Sequence, residues 1–82
     1  MLRILSGSAD RNIRFEELRR LLAGLGFEER VRGSHIYTIY TRPGVKEIIN
    51  LQRRDGGLAR PYQVKQVRHL IVKYKLAEHV ES

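Results

Sequence analysis

Phe15-Glu16-Glu17-Leu18-Arg19-Arg20-Leu21-Leu22-Ala23-Gly24-Leu25-Gly26, running on into Phe27-Glu28-Glu29-Arg30-Val31-Arg32, is the stretch where the chain changes its period. In its first half Phe15, Leu18, Leu21, Leu22 and Leu25 recur at a three-and-four spacing. That spacing lines them along one helix face and leaves Glu16, Glu17, Arg19 and Arg20 on the other. The two glutamates sit near the positive N-terminal end of this helix, and Gly26 supplies its stop. Beyond Gly26 come short segments rich in Val, Ile, Thr and Tyr, broken at Gly33 and again at Arg42-Pro43-Gly44. They predict three strands, over residues 27–32, 35–41 and 46–52, and the short connections predict an antiparallel meander. In the second strand His35, Tyr37 and Ile39 face one way and Ile36, Thr38 and Tyr40 the other. Both sets are partly apolar, so the pattern alone leaves the buried side open.

Working outward, Asp55-Gly56-Gly57 opens a loop that runs to Pro61, a residue suited to the first turn of a helix because its missing N–H has no intrahelical partner there. The helix that follows carries Val64, Val67, Ile71 and Tyr74 on one side, with Leu70 at the border and Lys65, Arg68 and Lys73 elsewhere. Toward the other end, residues 1–12 combine a short apolar start with Ser6-Gly7-Ser8-Ala9-Asp10, which has turn chemistry and no periodicity, and are expected to form an arm or loop. The order helix, three strands, helix predicts an α+β fold, α-β-β-β-α, with a three-stranded antiparallel sheet and two helices on one face. Eighty-two residues suffice for one such domain and no more, so residues 1–82 are taken as a single domain with 1–12 as its N-terminal arm.

The composition, 41% hydrophobic and 30% charged, is that of a globular chain, and no apolar run approaches the roughly 20 residues that a bilayer span requires. The start of the chain lacks a signal-peptide core, which points to a cytoplasmic protein. The absence of cysteine removes disulfides, thiolate metal sites and cysteine nucleophiles. His35, His69 and His79 are too widely spaced to suggest a metal site, so neither metal nor cofactor is expected. The net charge of +7 is uneven: residues 53–75 hold seven Lys or Arg against Asp55 alone. Such a basic stripe suits a polyanion, because each cation that neutralises a phosphate releases a counterion.

The segment Leu25-Gly26-Phe27-Glu28-Glu29-Arg30-Val31-Arg32-Gly33-Ser34-His35 resembles the hallmark of the HicA toxin family, in which a helix ends in a Gly-aromatic step, a strand follows, and Gly-Ser-His opens the next strand. Pro61-Tyr62-Gln63-Val64-Lys65-Gln66-Val67-Arg68 resembles the final helix of longer HicA-like chains, so the likeness covers roughly residues 13–75. It implies a double-stranded-RNA-binding-domain-like architecture and a ribosome-independent mRNA endonuclease. It also implies an acidic HicB-type antitoxin as partner and His35 as the catalytic residue. One departure is Ile36, which stands where many family members carry a second histidine.

The residues themselves suit that chemistry. Attack on RNA by its own 2′-hydroxyl needs a base, an acid for the leaving oxygen, and donors or positive charge around the phosphorus. A histidine, with an ordinary pKa of about 6.5, serves as either acid or base. Gly33 lets backbone approach a phosphate and Ser34 offers a hydroxyl and an N–H beside it. Tyr37 and His69 are candidates for the second titratable group; Arg32, Lys65 and Arg68 are candidate RNA-binding cations. Asn50 and Gln52, just before Arg53-Arg54, are amides able to meet base edges or sugar hydroxyls. Two other classes compete: a non-catalytic RNA-binding module of the same fold, and a basic domain that docks an acidic protein.

Overall fold

A computed structural model of the chain describes residues 2–32 and 37–79. The apolar stripe of the central helix decides the packing: in α2 (Phe15–Gly24) Phe15, Leu18 and Leu22 are buried. The helix ends as Gly26 foretells. The Phe27 N–H donates to the Leu22 carbonyl at 3.0 Å and the Gly26 N–H to Ala23 at 3.1 Å, with Gly26 at φ +91° in the left-handed region. These two hydrogen bonds to the last turn satisfy carbonyls that the helix itself leaves open, and they need a residue that tolerates positive φ.

Strands β1 (Glu28–Arg32), β2 (Tyr37–Arg42) and β3 (Val45–Arg54) form the expected antiparallel meander, with Glu29, Tyr40 and Ile49 on one rung and Val31, Thr38 and Leu51 on another. Thr38, Tyr40, Val45, Ile49 and Leu51 are buried, whereas Lys46, Ile48 and Asn50 are exposed, so the even-numbered side of β2 faces the helices. Helix α3 (Pro61–Lys73) buries Val64, Val67, Leu70 and Ile71 in the same core. The protein is thus α+β, with α2 and α3 packed on one face of an antiparallel sheet whose three-stranded meander is extended by one short edge strand.

Two features depart from the sequence reading. A two-residue strand, β4 (Leu58–Ala59), pairs with Arg53 and Arg54, extending β3 past its expected end at residue 52. The other side of β4 is taken by the chain that leads into α2, where the Ala59 N–H donates to the Ile13 carbonyl at 2.8 Å. The first twelve residues, expected as an arm or loop, hold a short helix, α1 (Leu2–Ser6), and a 3-10 turn at Asp10–Asn12. Ile4 is fully buried in the common core. The physical reason lies far along the chain: Arg68 on α3 donates to the Ile4 carbonyl at 3.1 Å and grips both carboxylate oxygens of Asp10, at 2.8 and 3.2 Å.

Among the described residues, no helix is long and apolar enough to cross a membrane.

Candidate functional site

The rung made by Arg32, Tyr37 and Gln52 closes the ladder between β1 and β2 at one end of the sheet. Gly33, Ser34, His35 and Ile36 join the two sides of that rung in sequence and lie outside the described residues. Arg32 and Tyr37 are fixed here by their backbone pairing. At the same end β3 continues through Gln52 to Arg54, and α3 begins.

A side chain holds the start of α3 to this end. Gln63, 2% exposed, accepts from the Gln52 N–H through Oε1 at 3.1 Å and donates through Nε2 to the Asn50 carbonyl at 2.6 Å. Its amide does what a residue of a neighbouring strand would do, so β3's outer edge stays satisfied just where β4 stops. As a result, the first turns of α3 stand beside the rung that flanks the Gly33-Ser34-His35 segment.

Two surface depressions border this junction. One is lined by Gly7, Asp10, Arg11, Arg54, Pro61 and Lys65, among others. Lys65 is exposed; Arg54 is half-buried, its Nε donating to the Ala59 carbonyl at 3.1 Å and its Nη2 to the Arg11 carbonyl at 2.6 Å. Arg54 is thereby locked in position with its charge left unneutralised by those carbonyls, the condition a phosphate contact requires. The second depression is lined, among the described residues, by Asn50, Gln52, Tyr62, Gln63 and Gln66, none of them charged.

The sequence candidates separate on this frame. Lys65 lies on the rim of the cationic groove. Arg68, three residues further along α3, does not share its position: its guanidinium is engaged by Asp10 and Ile4 and its side chain is 24% exposed. The expectation that Arg68 is an RNA-binding cation gives way to a structural one, because the fork that would grip a phosphate already grips a carboxylate. His69 is exposed on the outward side of α3, in line with Tyr62 and Gln66. Asn50 is exposed and Gln52 half-buried at the amide-lined cleft. Tyr62, 63% exposed, and Gln66 were not singled out from the sequence. Their signal was present, since both fall out of phase with the buried Val64, Val67 and Ile71.

Two described carboxylates, Glu29 and Glu47, are bound away from this junction. Arg19 on α2 binds both oxygens of Glu29 at 2.9 Å, and the Tyr40 hydroxyl donates to the same carboxylate at 2.5 Å. Arg19 first and Tyr40 second hold the Glu29 carboxyl below its ordinary pKa, while burial, aided by Glu29, raises that of the Tyr40 phenol. At the Val45 end of β3, Glu47 accepts from Lys73 at 2.7 Å and from the Tyr74 hydroxyl at 2.5 Å. Lys73, followed by Tyr74, brings the Glu47 carboxyl down to about 2, and Glu47 in turn raises Lys73. Comparison with protein-family models, with curated proteins and with solved structures finds no match to this chain.

Proposed function

We propose that this protein is an RNA endonuclease of the HicA toxin type that cleaves mRNA without a metal, with His35 as its acid–base residue. The observation that supports the reading is the convergence at one sheet end: the rung flanking Gly33-Ser34-His35 stands beside a cationic groove edged by Arg54 and Lys65 and an amide-lined cleft. In the proposed reaction a base removes the proton from the ribose 2′-hydroxyl and the 2′-oxygen attacks the adjacent phosphorus. The bond from phosphorus to the 5′-oxygen breaks, and an acid returns a proton to that oxygen. The products are a 2′,3′-cyclic phosphate and a 5′-hydroxyl. His35 takes one of the two proton transfers, and Tyr37 is the candidate for the other. Ser34 and the backbone at Gly33 supply donors to the non-bridging oxygens, and Lys65 and Arg32 supply positive charge. The resemblance to HicA proteins makes an acidic antitoxin of the HicB type the proposed partner, a reading with which the +6 balance of residues 53–75 agrees, and the cytoplasm is the compartment that an mRNA substrate implies.

The test is cleavage of single-stranded RNA in EDTA. Wild type is expected to cut, while His35→Ala binds the RNA and cuts about 10²–10⁴-fold more slowly. Equal cutting by both removes His35 from the mechanism. Ile36, in the place of a second histidine, favours a second reading, a non-catalytic RNA-binding module. Salt-sensitive binding without cutting by wild type would select it.

A further inference from the structure

The cleft between the outer edge of β3 and the first turns of α3 is unusual for this molecule. In a chain that is 30% charged, its lining among the described residues is four amides and a phenol. Its volume, about 520 Å³, falls in the roughly 300–1,000 Å³ range of small-ligand sites. Gln63 is not available to a ligand, because both ends of its amide are bound to β3. Asn50, Gln52 and Gln66 retain side-chain amides, each a donor and an acceptor side by side, the pairing that complements the edge of a nucleobase. Tyr62 presents an aromatic ring that is 63% exposed. Most exposed apolar residues of this kind need no explanation. This ring, however, stands at the mouth of a neutral cleft whose neighbouring groove is cationic, with Lys65 one turn along the same helix. Charge outside and amides inside is the layout for a phosphate outside and a base inside.

We infer that this cleft seats one nucleobase of a single-stranded RNA, stacked on Tyr62 with its edge against the amides of Asn50, Gln52 and Gln66. The inference rests on RNA being the ligand, as proposed above, and assigns the sequence preference of the site to residues of β3 and α3. The cations on its flank hold the backbone and select no base.

Binding is measured by fluorescence anisotropy with labelled single-stranded oligoribonucleotides and the full chain carrying His35→Ala, so that the RNA survives. Tyr62→Ala is expected to weaken binding about tenfold without altering its salt dependence, as loss of one stacked base should. Tyr62→Phe keeps the ring and retains the affinity. Lys65→Ala, in contrast, lowers the salt slope by about one. Gln66→Ala narrows the spread of affinities among the four homopolymers, and an oligomer without bases binds the parent and Tyr62→Ala alike. Thermal unfolding of Tyr62→Ala matches the parent, since the ring is exposed. An unchanged affinity in Tyr62→Ala, or a loss that comes with a reduced salt slope, overturns the inference. Cleavage of the same RNAs by the wild-type chain separates it from the catalytic reading. His35-dependent cutting with a silent Tyr62→Ala sinks the cleft alone, and Tyr62-dependent binding with no cutting sinks the role of His35 alone. Absence of RNA binding sinks both.

Discussion

The two ends of the sheet are built by opposite rules. At the turn end, where Arg42 pairs with Val45, the carboxylate is matched and tied down: Glu47 is bound by Lys73 and Tyr74, while Arg42 is held in place, without being neutralised, by the Leu25 carbonyl at 2.8 Å. At the other end Asp10, which lines the surface groove, is consumed by Arg68. That leaves Arg11, Arg54 and Lys65 around the depression and, among the described residues, amides and the Tyr62 ring in the cleft beside it. An end whose carboxylate is matched serves stability, whereas one left cationic by the diversion of its carboxylate is suited to an anion. Arg68 and Lys65 express the contrast on one helix, one turn apart.

Removing Arg68 is the harshest way to break that comparison. Arg68→Ala strands the Asp10 carboxylate, frees the Ile4 carbonyl and loosens α1, and is expected to cost about 2–4 kcal/mol by urea denaturation. Lys65→Ala should stay within about 0.5 kcal/mol of wild type in the same measurement. Comparable losses in both would erase the distinction between the tied cation and the available one. Next in size, Gln63→Leu leaves the Gln52 N–H and Asn50 carbonyl of β3 without their partner, a loss of about 1–3 kcal/mol. Rapid hydrogen exchange at Gln52 should accompany it. A Gln63→Leu protein as stable as wild type would mean that the amide bridge does not hold α3 to the sheet.

Acid sharpens the comparison from the turn end. Glu47 and Glu29 have folded-state pKa values below their ordinary 4.5, so the stability they contribute is present above that value and is lost as pH falls toward the depressed ones. The melting temperature should therefore decline between about pH 5 and 2. Glu47→Gln should flatten part of the decline, and an undiminished slope in that variant would remove Glu47 from the account. Of the expected losses the smallest is at Gly26→Ala, about 1–2 kcal/mol from the positive φ that closes α2, still above the near-neutral Lys65→Ala.

What the sequence discloses and what it hides divide along lines of range. Periodicity reveals α2 and the meander, and Pro61 marks the start of α3, because those signals are local. The buried side of β2 stays ambiguous until Tyr40 is seen to meet Arg19 and Glu29, partners brought together only by the fold. Leu58–Ala59 is too short to show alternation, and Leu2–Ser6 too short to show a helical stripe. Their order comes from pairing with Ile13 and from Arg68, 64 residues away from Ile4. For the same reason a count of charges places Arg68 beside Lys65 among the RNA contacts, although Asp10 neutralises one and not the other. Tyr62 and Gln66 become visible only when the exposed phase of α3 meets the edge of β3. The residues most directly tied to the chemistry, Gly33, Ser34 and His35, rest on their motif and on the rung that flanks them.

Cleavage of a defined single-stranded RNA in EDTA, by wild type and by His35→Ala of equal melting temperature, tests the central claim most directly. The account predicts cutting by wild type to a 2′,3′-cyclic phosphate and a 5′-hydroxyl, with binding but little cutting by the variant. Cutting that survives in His35→Ala at the wild-type rate would contradict it.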